Sequence, residues 1–193
     1  MKCEINTSYH PTLWRTCRIL AHVKRLACLK MIVECPSATV GEVAVGLRVP
    51  VNQASMFLRA LQARGLISAQ RQSRWVRYAP VPDPLVPEAS CILKALRQAL
   101  IVEKRPAADI KRDLTAFTHP RRLTILLHLF AASPVGFEEL AAATRISRPA
   151  LSRHLAKLAL RQLIRYEDSG VWLASPPHRL SAALLQLARS AAP

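Results

Sequence analysis

TRISRPALSRHLAKLALRQLI, residues 144–164, reads as a helix with two unlike faces. Ser147 stands where a helix start wants a side-chain acceptor for its free amides, and Pro149 follows at a first-turn position that needs no N–H. Leu151, Leu155 and Leu158 recur at the four-then-three spacing of one apolar stripe. Arg148, Ser152, Arg153, His154 and Lys157 fall on the other side. Such a helix suits the DNA major groove: its leucines hold it to a small domain, while its cations meet phosphate oxygens and an arginine pairs with guanine O6 and N7. A basic face alone is most often just a solvated one. The added weight comes from a second occurrence of the same stretch.

Sliding the sequence along itself by 97 positions aligns residues 22–78 with residues 119–175 without a gap. Identical pairs include His22/His119, Arg25/Arg122, Glu42/Glu139, Arg48/Arg145, Leu58/Leu155, Arg64/Arg161 and Trp75/Trp172. The period is too long for a solenoid, so each copy is expected to carry its own core. In the first copy the patterning predicts helices over residues 13–21, 22–33 and from Thr39, with Thr39 and Glu42 spaced as a capping box, then a helix over 49–64. Gly65 takes the left-handed position after that helix, and a hairpin follows with Gln72–Ser73 as its polar turn. The second copy predicts helices over 107–118, 120–131, 137–144 and 148–160 and a hairpin over 163–174. Helices followed by a two-stranded hairpin make a winged helix-turn-helix, the hairpin being the wing. The expected fold is mainly α with small β-hairpin wings, in two tandem winged helix-turn-helix domains arranged as a pseudo-dimer. The first domain spans 1–79 and the second, with its terminal helix, 107–193. Residues 80–106 join them through VPDPLVPE (81–88), expected to be neither helix nor central strand, and a helix over 89–104 with Ile92, Leu93, Leu96 and Leu100 on one side. A tail helix over 178–189 sets Leu180, Leu184 and Leu187 on one stripe.

Of 193 residues 51% are hydrophobic, enough for a packed core, and the formal charge is +16, spread over both halves. A charge of that size calls for a polyanionic partner. Lys24, Arg25 and Lys30 break the longest candidate membrane span, and MKCEINTSYHP lacks the apolar region of a secretory signal. Five scattered cysteines (Cys3, Cys17, Cys28, Cys35, Cys91) do not make a disulfide framework. A soluble, cytoplasmic protein with no membrane contact is expected. No nucleotide-binding glycine loop, zinc-protease motif or nucleophile elbow is present, so an enzyme is not expected.

HPRRLTILLHLF (119–130), FEELAAATRISRPALSRHLAKLALRQLI (137–164) and, in the first copy, LQARGLISAQRQSRWVRYAP (61–80) resemble the ArsR-type winged-helix transcriptional repressors of bacteria. The resemblance covers nearly the whole chain twice, and its best motif is Ser-Arg-His-Leu at 152–155. It implies sequence-specific binding of double-stranded DNA and a dimer built from the first and last helices of each domain, with recognition helices on successive major grooves. Both domains lie in one chain here, so the pair would form internally, with further homodimerisation left open. Metal-sensing members carry Cys-x-Cys on the third helix, or Asp and His ligands on the last. GEVAVGL (41–47) and EELAAAT (138–144) contain no cysteine, so no metal and no cofactor is expected. Cys28 aligns with Ile125 and reads as a core residue; a role for Cys17 and Cys91 at the internal interface stays open. His22 and His119 begin the second helices, which suggests helix-end geometry rather than ligation.

The two copies differ where they would meet DNA. Opposite Arg148, Ser152, Arg153, His154 and Lys157, the first copy offers Val51, Asn52, Gln53, Ser55, Met56, Phe57 and Arg59. Asn and Gln suit adenine; Met56 and Phe57 would meet thymine methyls or a neighbouring element. The wings invert the pattern, with Arg71, Arg74 and Arg77 in the first and Glu167 and Asp168 in the second. An asymmetric footprint is expected, led by the second helix and the first wing. The rival readings are a tandem winged-helix protein–protein adaptor and a nonspecific nucleic-acid binder, of RNA or of the nucleoid.

Overall fold

Residues 12–190 are described by a computed structural model. The first half contains α1 (Leu13–Leu20), α2 (Val23–Glu34), β1 (Ala38–Thr39), α3 (Val40–Leu47), α4 (Val51–Gln62), β2 (Ser68–Gln72) and β3 (Trp75–Ala79). A connecting helix α5 (Pro87–Arg97) runs into a wider π turn, Gln98–Val102. The second half contains α6 (Ala107–Leu114), a 3-10 turn (Thr115–Phe117), α7 (Pro120–Ala132), α8 (Phe137–Thr144), α9 (Arg148–Ala159), β4 (Ile164–Glu167), β5 (Gly170–Leu173) and α10 (Arg179–Ser190). The fold is mainly helical with two small antiparallel sheets, ordered β1-β3-β2 and β4-β5. In the second half a single bridge from Val135 to Val171 stands in place of β1.

The helices form where their apolar spacing requires. Ala54, Leu58 and Leu61 of α4 are buried, as are Leu151, Leu155 and Leu158 of α9. Thr39 and Glu42 close a capping box on α3: the Glu42 carboxylate accepts from the Thr39 amide at 2.6 Å, and Thr39 Oγ1 accepts from the Glu42 amide at 3.4 Å. Those hydrogen bonds, to the Thr39 amide first, hold the Glu42 carboxyl below the usual carboxylate range. The backbone turns to positive φ at matching points in both halves: Arg48 and Arg145 after α3 and α8, Gly65 and Gln162 after α4 and α9, Ser73 and Gly170 in the hairpins. Gly65 alone of its pair must be glycine, because a Cβ there would lie 2.9 Å from Val86 Cγ2 in the linker.

Several expectations need correction. Ser147 is the N-cap of α9, but its side chain makes no capping hydrogen bond. Pro87 and Glu88 are helical, because proline is tolerated at the first turn, where its missing N–H is not needed. The first hairpin turns at Ser73–Arg74, one residue later than expected, with Gln72 paired to Trp75. The expected helix over 107–118 tightens to a 3-10 turn at Thr115. On α10 the inward stripe runs through Leu180, Leu184, Leu185 and Ala188, with Leu187 only partly buried.

One apolar cluster runs through both halves rather than two separate ones. Helix α1 packs on α6 and its 3-10 turn, α6 packs on α2, and α10 packs on α5, α6 and α7. Two arginines lock the helix ends at these contacts. Arg122, 5% exposed, donates to Ala116 O, Thr115 O and Thr118 Oγ1 at 2.7–2.8 Å. Arg25, its counterpart, donates from Nε to Ile19 O. A third, Arg105, pairs with Asp113 at 2.6 Å, their side chains being 12% and 7% exposed. Asp113→Ala would strand that guanidinium in the interior and is expected to lower the unfolding free energy by about 3–5 kcal/mol. Urea denaturation reads this directly; a loss below about 1 kcal/mol, the value for exposed pairs, would mean that water replaces the carboxylate.

Candidate nucleic-acid interface

Helix α9 owes its position to Leu151, Leu155 and Leu158, all fully buried, and these leave Arg148, Ser152, Arg153 and Lys157 exposed. Arg148 is engaged within the protein: its guanidinium meets the Glu138 carboxylate of α8 at 2.7 Å. Among the described residues neither Arg153 nor Lys157 has a carboxylate in salt-bridge range. Ser152, Arg153 and Lys157 therefore form the available outer strip of this helix.

His154 does not belong to that strip. It is half-buried and turns toward the start of α7, where its ring lies 4.8 Å from the His119 ring. Burial first, then His119 and the charges of Arg122, Arg121 and Lys157, push His154 down to about 4. His119 is lowered as well, by burial and then by Arg122, Arg121, Lys157 and Arg18 of α1. Its Nδ1 accepts from the Arg121 amide at 3.1 Å, so the neutral ring carries its proton on Nε2. His22 caps α2 likewise, accepting from the Arg25 amide at 3.3 Å. Both histidines thus serve as helix ends.

In the first half the matching strip is less polar. Asn52, Gln53 and Arg59 of α4 are exposed and Ser55 is half-buried, while Val51 and Met56 lie exposed among them. The Asn52 carbonyl is taken by the Gln53 amide at 2.8 Å. Phe57, expected outside, is 6% exposed: it sits at the position of His154 and packs on His22, ring centres 5.5 Å apart. Beside α4, an apolar groove of about 640 Å³ opens between α3 and β3, with Gly41, Val45, Gly46 and Trp75 on its walls.

The first wing does not present three arginines together. The register pairs Arg71 with Val76 but Gln70 with Arg77, so Arg71 and Arg77 point to opposite faces of the ribbon. Arg77 is half-buried and donates to Ser37 O at 3.0 Å. Arg71 and Arg74 remain at the exposed tip, Arg74 lying over the Trp75 ring at 5.2 Å. In the second wing Glu167 is neutralised by Arg165 at 2.8 Å. Sequence reasoning passed over Arg121, which the start of α7 brings beside Arg153 and Lys157. The signal was there in HPRR, where the capping histidine sets Arg121 in the first turn of α7.

Cys17 and Cys28 are buried thiols, Cys28 pushed up to about 12 by burial, and Cys91 is exposed on α5. Cys17 and Cys91 are both free thiols, not joined to each other; Cys3 lies outside the described residues. Among the described residues no three His, Cys, Asp or Glu are grouped as a metal ion would need. No helix among them is long and apolar enough to cross a membrane.

Residues 119–165 match the family described as bacterial regulatory protein, arsR family. The matched stretch begins at the cap of α7 and runs through α8 and α9 into β4, so an ArsR-type helix-turn-helix occupies this part of the chain. No curated protein matches the sequence. Among solved structures the chain is similar to human N-acetylserotonin methyltransferase in complex with SAM, at 14% identity and a TM-score of 0.34, over 84% of this chain and 50% of that one. The chain spans about half the length of that structure.

The histidine geometry sets a pH dependence. His154 titrates near 4 in the folded chain against an ordinary 6.5, so the unfolded chain binds more protons between those values. Stability is expected to fall as pH drops through that window, most visibly as a lower Tm. His154→Phe, which installs the side chain found at Phe57, is expected to flatten the dependence; a variant with the parent's profile would trace it elsewhere.

Proposed function

We propose that the chain is a sequence-specific DNA-binding transcriptional regulator of the repressor kind, without enzymatic activity and working in the cytoplasm. Two winged helix-turn-helix domains, 1–79 and 107–193, joined by 80–106, pair within one chain and offer α4 and α9 to successive major grooves of one duplex. The single observation that carries this reading is the outer strip of α9, where Ser152, Arg153 and Lys157 stand exposed without carboxylate partners among the described residues, within the stretch that matches the arsR family. The matching left-handed backbone positions in the two halves support the tandem arrangement, and the packing of α1 on α6 and of α5 on α10 supports internal pairing.

Base reading falls to Arg153 and Ser152, with Lys157 on phosphate. Asn52, Gln53, Ser55 and Arg59 add a weaker contact in the first half, and Arg71 and Arg74 bring its wing to the backbone. Arg148 serves the site by anchoring α9 to α8 through Glu138, and His154 by fixing α9 against α7. An adaptor reading draws on one observation, the apolar groove beside Val45 and Trp75, exposed by 79% and 51%.

Binding of the purified chain to duplex DNA from its own upstream region, against random duplex and across salt, tests the proposal. A preference that survives near-physiological salt is expected. Binding without preference would indicate a nucleoid or RNA role, and no binding at low salt would leave the adaptor. Arg153→Ala is expected to cost about 1–3 kcal/mol at one base position and relax the preference there. Arg74→Ala should weaken every duplex alike and reduce the salt slope by about one.

A further inference from the structure

Toward the start of α7, the outer face of α9 forms one wall of a cleft of about 580 Å³. His119, Arg121 and Arg122 line it from α7, and Arg153, His154 and Lys157 from α9. No Asp or Glu is among its lining residues. Small Ala150 and Ala156 leave the space between the cations open. Arg18 of α1 adds a charge from the first half that bears on His119.

The first amides of α7 are already committed. Pro120 has none, and those of Arg121 and Arg122 go to His119 Nδ1 and His119 O, each at 3.1 Å. Whatever binds in the cleft must be held by side chains. Arg122 supplies charge but no donor to spare for the cleft from Nε or Nη2, which bind Ala116 O, Thr115 O and Thr118 Oγ1. Arg121 and Lys157 are exposed, and His119 keeps a proton on Nε2.

The fold itself does not require this set. At the equivalent positions the first half has Lys24, Met56, Phe57 and Ala60 for Arg121, Arg153, His154 and Lys157. Lys24 there turns away to donate to Leu47 O at 3.3 Å. The same backbone therefore stands without the cations. Like charges gathered without counter-ions repel one another, and an anion removes that repulsion. Three cationic heads without a carboxylate partner among the described residues exceed what one carboxylate neutralises, whereas a phosphoryl group offers several acceptor oxygens and suits the forked guanidinium.

We propose that the α7–α9 cleft is a phosphoryl-binding site, with Arg121 and Lys157 as its ion-pairing side chains, His119 Nε2–H as its neutral donor and Arg153 adding charge at its rim. The group has two available sources: a backbone phosphate of a duplex lying on α9, which rests on the function proposed above, or a free phosphorylated molecule, which does not.

The histidines report occupancy, because an anion beside them favours their protonated forms. NMR titration of the His119 and His154 ring protons, in the full chain alone, with inorganic pyrophosphate and with duplex DNA, separates the cases. A filled cleft is expected to raise the His154 titration by about one pH unit. Arg121→Gln, at an exposed position, should keep the fold and lower affinity for the filling probe about tenfold. A rise with DNA, together with a salt slope reduced by about one in Arg121→Gln, identifies the duplex backbone. A rise with pyrophosphate alone identifies a free ligand, and if duplex does not bind at all the DNA function fails while the cleft stands. Duplex bound with neither a histidine rise nor an Arg121→Gln effect, and no rise with pyrophosphate, overturns the cleft and leaves the DNA function intact. No rise with either probe and no duplex binding overturns both.

Discussion

A guanidinium that cannot shed its charge closes the helix end before both α2 and α7. Helix C-termini leave carbonyls without intrahelical partners, and a cation there answers both their hydrogen-bonding need and the negative end of the helix dipole. Arg122 does this for the turn that ends α6, through Ala116 O and Thr115 O; Arg25 does it for α1 through Ile19 O. Ile19 and Ala116 are themselves counterparts, so the same bond is made twice. Burial lowers the pKa of both guanidinium groups, yet an arginine stays protonated at any ordinary pH, so the donor is always present. It fixes the angle between each first helix and the next, and so puts His22 and His119 over α4 and α9.

From that shared frame the halves depart in chemistry while keeping geometry. A ring stacks on the capping histidine in each, but it is Phe57 in one and His154 in the other. Glu138 and Arg148 hold α8 to α9 by an ion pair, where the first half has Gly41 and Val51 at the same positions and no charge to pair. Trp172 donates its indole N–H to Ser169 Oγ at 3.0 Å under Arg165, whereas Trp75 is left 51% exposed. The charge on the outer face of the second half is thus added at surface positions that the backbone does not constrain.

Periodicity exposed the architecture because buried stripes leave a strong signal: every leucine assigned to the inner sides of α4 and α9 is buried. The capping box at Thr39 and the turn at Gly65 were legible for the same kind of reason, since each rests on residues adjacent in sequence. Side-chain direction in the site was less legible. Phe57 and His154 stand at the edge of the outer face, and only the approach of His22 and His119 decides that they turn inward. The split of Arg71 from Arg77 comes from strand alternation: Arg71 lies opposite Val76, and Arg77, one residue on, takes the other face. Arg121 needed knowledge of which helix start abuts α9, a contact between residues far apart along the chain.

The pairing of α5 with α10 sets the order in which the molecule can be completed. Residues 87–97 carry the buried Ile92, Leu93 and Leu96 and pack on residues 179–190, with the whole second half between the two in sequence. During synthesis the connecting helix therefore precedes one of its packing partners, and unpaired apolar surface of that kind is open to association with other chains. The separation also makes this a high-contact-order pairing, of the kind that loop-closure entropy slows. A ribosome pausing before α10 would hold the chain where it is most vulnerable to aggregation, a hazard that two independently folding halves would have avoided.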